Sequence, residues 1–290
     1  MGKLFAILRL LRPKQWIKNV FVFAGVLFGA QLHNSEFLLA AFLAAAAFSL
    51  MASCVYVLND YMDRESDRLH PTKRHRPLSS GAVRPATAFA VGTICFVGSL
   101  AAAWAADPRV LVSILIYFCI NVAYSVRLKH EAVIDVFCIA AGFMLRIMAG
   151  TWGIHIPPSR WLILTGMFMT LFLGFAKRRA EWVDAGGSHG RRRVLSHYSQ
   201  ALLDSFLSIT ATGTVMSYGL YTLDAQTIAL HHTDKLIYTL PFVLFGLFRY
   251  LFILHNGKKG ENPSVDVFTD RVIAANALVY VGVAMWFLNR

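Results

Sequence analysis

Asn59-Asp60-Tyr61-Met62-Asp63-Arg64-Glu65-Ser66-Asp67-Arg68-Leu69-His70-Pro71-Thr72-Lys73-Arg74-His75-Arg76-Pro77 follows directly on an apolar run from Phe42 to Leu58. Its carboxylates come first, at Asp60, Asp63, Glu65 and Asp67, and its cations follow, at Arg68, Lys73, Arg74 and Arg76. If the helix of the apolar run continues one or two turns, Asn59, Asp63 and Asp67 fall at i, i+4 and i+8 on one face. Like charges at that spacing repel by roughly 0.2–0.5 kcal/mol per pair, so the pattern predicts a cation among them. Mg²⁺ suits a site of few carboxylates, because it keeps waters and takes further ligands from substrate phosphates. The basic block, with Lys73, Arg74 and Arg76, then meets the remaining phosphate oxygens, which makes a diphosphate the natural guest. A merely solvated loop would need neither the helical spacing nor the separation of the two signs.

Outward from this stretch the chain is apolar. Of 290 residues, 57% are hydrophobic and 15% charged, the composition of a polytopic membrane protein. Nine candidate spans of about 20 residues appear at 16–32, 37–58, 86–106, 110–126, 132–153, 161–176, 203–223, 236–254 and 272–288. The expected fold is therefore an all-α integral membrane protein, a single polytopic domain over residues 1–290 with nine transmembrane helices around a central cavity. Cytoplasmic loops at 58–85, 127–135 and 177–202 would cap it.

The 28 Lys and Arg sort by side. Only Arg109, Arg160, Lys235 and Arg290 fall at the ends opposite the acidic stretch, with Arg146 inside a span. The positive-inside rule puts the N-terminus and the acidic loops in the cytoplasm and the C-terminus outside. In a bacterium this is the inner, cytoplasmic membrane. The formal charge of +12 is thus topological and not a nucleic-acid footprint, since no aromatic residues interleave a basic soluble face. Residues 1–12 read as a basic amphipathic segment on the membrane, without a cleavable signal. Cys54, Cys95, Cys119 and Cys138 lie within spans at spacings unlike a metal site, as packing residues do.

In Arg12-Pro13-Lys14-Gln15-Trp16-Ile17-Lys18-Asn19, Lys14 and Lys18 stand one α-helical turn apart, either clamping an anion or snorkelling at a span end. Glu131 and Asp135 repeat the i, i+4 acidic spacing before the fifth span. Arg146 costs about 2.5–3.5 kcal/mol at that depth, so it must face a polar cavity or a partner; the alternatives are a structural Arg–Asp pair or a bound anion. Lys177, Arg178 and Arg179 read either as a stop-transfer anchor or as site cations. The polar stretch 184–200 suits a covering loop, and Glu261, Asp266 and Asp270 in the last loop receive no role.

Asn59-Asp60-x-x-Asp63-x-x-x-Asp67, the second acidic motif ending at Asp135 and the nine spans resemble the UbiA superfamily of intramembrane prenyltransferases. Within it, Arg12 to Asn19, His70 to Gly81, Tyr124-Ser125-x-x-Leu128-Lys129, Gly142-Phe143-x-x-Arg146 and Lys177 to Glu181 are similar to members that transfer phosphoribose. Glu131 departs from the superfamily pattern, which has Asp there. The resemblance implies that phosphoribosyl diphosphate donates ribose 5-phosphate to a polyprenyl phosphate, for lipid-linked arabinose synthesis. Mg²⁺ would be required, with Mn²⁺ as a substitute, held by Asn59, Asp60, Asp63, Asp67 and Asp135. Asp63, Asp67 and Arg146 would be catalytic. Lys73, Arg74, Arg76, Tyr124, Lys129 and Lys177 would bind donor phosphates, and Lys14, Lys18 and Asn19 the lipid phosphate. The partners are the two substrates and the bilayer; a homo-oligomer is compatible with the sequence. The alternatives are prenyl transfer to an aromatic or lipid acceptor, which needs fewer cations, and an anionic-lipid transporter, for which broken helices are missing.

Overall fold

A computed structural model describes residues 2–28, 34–69, 73–156, 158–184, 193–256 and 270–288. Their regular structure is entirely helical, and seven helices are long and apolar enough to cross a bilayer. They are α3 (Ser35–Met62), α5 (Pro85–Ala106), α6 (Pro108–Val126), α7 (Ile134–Trp152), α8 (Arg160–Asp184), the stretch Lys235–Asn256 that contains α11 (Leu240–Asn256), and α12 (Arg271–Leu288). The nine-span expectation is not met on that criterion. Residues 203–223 do form a continuous helix, α9 (Gln200–Leu223), but Asp204 and its many Ser and Thr lower its hydropathy. Residues 16–32 begin instead in a 3-10 helix, Pro13–Phe23, followed by the short α2 (Ala24–Phe28).

That 3-10 segment changes one expectation. With three residues per turn, side chains at i and i+3 eclipse, so residues four apart are rotated by about 120°. Lys14 and Lys18 accordingly do not share a face: Lys14 is exposed and Lys18 half-buried.

The chain divides into two compact units, one of Met1–Leu128 with Leu145–Pro157, the other of Lys129–Met144 with Pro158–Arg290. In the first, α3 is the axis. Asn34 starts it, its side chain accepting from the N–H groups of Glu36 and Phe37, which satisfies donors that a helix start leaves open. Twenty-eight residues make about 42 Å of helix, against about 30 Å of hydrocarbon. The surplus turns carry Asn59 and Asp60 past the apolar zone. Around α3 pack Val22, Ile114, Tyr117 and Ala149, against Ala44, Ala47, Phe48, Met51 and Val55. Gly150 makes this possible: a Cβ there would fall 1.8 Å from the Val22 carbonyl oxygen. The amphipathic α1 (Lys3–Leu11) sets Ala6 and Leu10 on Val57, Leu78, Val83 and Ala88, while Leu4, Phe5 and Leu8 stay exposed. Ser79-Ser80-Gly81 forms a turn ahead of α5, with Gly81 at φ +77, a value that suits a residue without Cβ.

In the second unit, α8 and α9 pack along their length. A Cβ at Gly213 would meet the Phe168 ring at 2.5 Å, and one at Gly174 would meet Val136 at 2.7 Å. α11 and α12 are joined by Asn276, whose side chain donates to the Phe242 carbonyl at 2.9 Å. Asp270 caps α12 by accepting from the Ile273 N–H, and also holds Arg249 at 3.2 Å. The Arg249 hydrogen bond keeps the Asp270 carboxyl below the usual range.

Candidate active site

In the first unit, the Asp63 N–H bonds the Asn59 carbonyl and the Asp67 N–H bonds the Asp63 carbonyl. The chain thus keeps helical hydrogen bonding from α3 into α4 (Arg64–Arg68), and Asn59, Asp63 and Asp67 succeed one another by turns, as the spacing predicts. Asp60 and Asp67 are both buried. Arg76 joins them, with Nη1 at 3.1 Å from Asp60 Oδ1 and 2.6 Å from Asp67 Oδ2. A second guanidinium reaches the same Asp60 oxygen from another direction: Arg12 Nη2 lies at 2.5 Å and its Cζ stands 4.8 Å from the centre of the Tyr56 ring. Asn59 Oδ1 accepts from the Ser125 hydroxyl on α6 at 2.5 Å.

Asn59, Asp63 and Asp67 offer oxygen atoms only, the donor type that Mg²⁺ takes. Among the described residues, no three Asp, Glu, His or Cys side chains converge closely enough to enclose an ion.

Arg146, in the same unit, is buried. Its Nε donates to Asn19 Oδ1 at 2.7 Å and its Nη2 to the Tyr117 hydroxyl at 3.2 Å. The guanidinium lies against the Phe48 and Tyr117 rings, 5.2 and 4.7 Å from their centres, an arrangement that cation–π attraction favours. Asn19 is itself fixed by donating to Ser49 at 2.7 Å. Lys18 lies within electrostatic range of both Arg146 and Arg12.

The second acidic motif lies in the other unit and looks different. α7 begins only at Ile134, because Val133 sits at φ 68, a strained value for a β-branched residue. Glu131 is therefore left on an exposed turn, although the Asp135 N–H still bonds its carbonyl. Asp135 is fully buried; Arg178 Nε lies 2.6 Å from its Oδ2. The Tyr198 hydroxyl donates to Asp135 Oδ1 at 3.1 Å and accepts from the Val133 N–H at 2.6 Å. Burial pushes the Tyr198 phenol up to about 12, so it stays protonated and donating. Arg178 also pairs with Glu181. Arg179 meets Asp204 at 2.6 Å and donates to the Leu254 carbonyl. Buried and paired, Arg178 and Arg179 do not snorkel as a stop-transfer anchor would.

Of the other expected phosphate ligands, Lys73 and Arg74 are exposed, and Tyr124, Lys129 and Lys177 are half-buried. Expectations on His70, Pro71 and Thr72, on the covering loop over 185–192, and on Glu261 and Asp266 lie outside the described residues. The sequence reading gave no role to Tyr117 and Tyr198, named Arg12 and Ser125 only within the motifs they belong to, and left Arg178 between an anchor and a site cation. The signal for Arg12 was its place immediately before Pro13. The second unit also has a half-open, mainly apolar cavity of about 210 Å³ beside Phe172, Leu173, Leu247 and Tyr280.

Residues 19–268 match the model of the UbiA prenyltransferase family. The chain is 33% identical over 280 residues to the decaprenyl-phosphate phosphoribosyltransferase of Mycobacterium tuberculosis, covering 95% of this chain and 91% of that one. To the enzyme of the same name from Corynebacterium glutamicum it is also 33% identical, over 94% of this chain and 84% of the other. In fold it is similar to a UbiA homolog from Archaeoglobus fulgidus whose structure contains GPP and Mg²⁺, with a TM-score of 0.75 at 21% identity, covering 98% and 100% of the two chains.

Proposed function

Because the chain belongs to the UbiA prenyltransferase family, and is thus a multi-pass membrane transferase, we propose that it moves 5-phosphoribose from phosphoribosyl diphosphate to a polyprenyl phosphate at the cytoplasmic face. The observation that carries the substrate reading is Arg146, a buried guanidinium aligned by Asn19 in the unit that holds the Asp motif. A donor diphosphate alone would be served by the cations after Asp67. An acceptor that is itself an anion explains Arg146. The two decaprenyl-phosphate phosphoribosyltransferases named above support phosphoribosyl transfer to a polyprenyl phosphate.

In this reading Asn59, Asp63 and Asp67 hold Mg²⁺. When bound, the ion neutralises the donor diphosphate and stabilises charge on the leaving group. Lys73, Arg74 and Arg76 bind the phosphate oxygens, Arg76 exchanging its Asp67 contact for phosphate while it stays on Asp60. Lys18 and Arg146, with Asn19 aligning the guanidinium, bind the lipid phosphate, and Lys14 guides it in at the surface. The acceptor oxygen already carries negative charge at neutral pH, so no general base is required. The fixed cations supply electrostatic stabilisation where charge develops. From the second unit we assign Lys129 and Lys177 to donor phosphates and Asp135 to the metal on sequence pattern; an ion at Asp135 has to compete with Arg178. Tyr124 completes the donor contacts.

The test is incubation of the purified protein in lipid with labelled phosphoribosyl diphosphate or labelled prenyl diphosphate, each with polyprenyl phosphate and Mg²⁺. Label should enter the lipid phase from the first donor only. Asp63→Ala and Asp67→Ala should each lower turnover at least a thousandfold while the protein still inserts. Full activity of either, or label from the prenyl donor, would overturn the assignment.

A further inference from the structure

The network around Asp60 is larger than a metal motif needs. Asp60 Oδ1 receives two guanidiniums, from Arg12 and Arg76. A carboxylate already satisfied by two fixed cations is a poor ligand for a third. It is a good anchor.

Arg12 is held at several points. It terminates α1 in the left-handed conformation, φ 53 and ψ 56, and passes the chain to the 3-10 segment Pro13–Phe23. A residue other than glycine stays there only where its surroundings hold it. Here Leu10 is buried on α3. The Ser53 hydroxyl donates to the Leu11 carbonyl at 2.9 Å, and Trp16 Nε1 donates to Ser53 Oγ at 3.0 Å. Leu10, Leu11 and Trp16 are thus pinned to the turn of α3 that carries Ser53 and Val57, and Arg12 reaches from among them to Asp60.

Beyond Arg12, the same 3-10 segment carries Lys18 and Asn19, and Asn19 touches Arg146. Beyond Asp60, Arg76 continues to Asp67. One chain of contacts therefore runs from the cations assigned to the acceptor to the carboxylates assigned to the donor's metal.

We propose that Arg12 and Asp60 form a positioning pair: Asp60 is not a metal ligand but the anchor through which Arg12 sets Arg76 and Asp67 for metal and diphosphate. The proposal rests on the functional reading above, in that Asp67 serves a metal–diphosphate. It removes Asp60 from the ligand set and adds a residue from outside the acidic motif.

The experiment measures binding of Mn²⁺ in the presence of inorganic diphosphate, by electron paramagnetic resonance, on the full chain in lipid nanodiscs. Arg12→Gln and Asp60→Asn should each weaken Mn²⁺ binding about tenfold, and the double variant no more than the weaker single one, because both cut the same link. Arg12→Lys, which keeps the charge but not the planar fork, should fall between Arg12→Gln and wild type. Arg9→Gln, on the exposed side of the same helix, should bind as wild type does. Thermal unfolding of each variant identifies any that fails to fold, and Arg12→Lys keeps the test in force if Arg12→Gln does. Losses that multiply in the double variant, unchanged binding in Arg12→Gln, or an equal loss in Arg9→Gln would each overturn the pair. Wild type that binds no Mn²⁺ with diphosphate would instead overturn the functional reading and this with it.

Discussion

Arg178 has no exposed side-chain surface, yet carries a full charge opposite Asp135, which has none either. Such a pair is sensitive to the loss of one partner, since the other is left as an uncompensated buried ion at about 3–5 kcal/mol. Arg178→Met should lower the unfolding temperature of the purified protein markedly, and adding Asp135→Asn should recover most of that loss. Arg178→Met alone unfolding as wild type does would show that the pair contributes nothing. At this scale the sequence was legible where the backbone spacing alone does the positioning. Asn59, Asp63 and Asp67 keep their helical succession because local hydrogen bonds maintain it. It was not legible for Arg178 and Asp135, 43 positions apart, or for Arg12 and Asp60, because adjacency produced by tertiary packing leaves no mark in spacing. Nor could it show that Val133 breaks the expected Glu131–Asp135 helix turn, since nothing in an Ala-Val-Ile run announces a left-handed residue.

Helices were legible as long apolar runs, and their ends where Pro and cap residues stand: Pro85 and Pro108 open α5 and α6, and Asp107 caps the latter. The first expected span was less so. Its polar residues at 14, 15, 18 and 19 look like a span end, and only packing against Gly150 reveals a 3-10 segment pressed onto α7. Close approach there has a measurable consequence. In Gly150→Ala the new methyl group would lie on the Val22 carbonyl, 1.8 Å from its oxygen, and the backbones must part. Overpacking of this kind costs about 1–3 kcal/mol. Because Val22 and Asn19 share that segment, the variant should lose activity as well as thermal stability. An enzyme with full activity and an unchanged melting curve would refute this account of the contact.

For the whole molecule, composition decided the class, and the sidedness of Lys and Arg decides the expected orientation. Reporter enzymes fused after Arg84 and after Arg290 test it: a reporter active only in the cytoplasm should work at the first position and one active only outside at the second. The reverse pattern would invert the assignment of the site to the cytoplasmic face. One joint in the first unit bears on how such a chain is made. A single residue, Asp107, separates the end of α5 from the start of α6. With no slack between them, neither helix can be delivered to the bilayer alone, so the insertion machinery must accept residues 85–126 as one prefabricated hairpin, and an epitope spliced at that corner would break a step of biogenesis before it touched any chemistry.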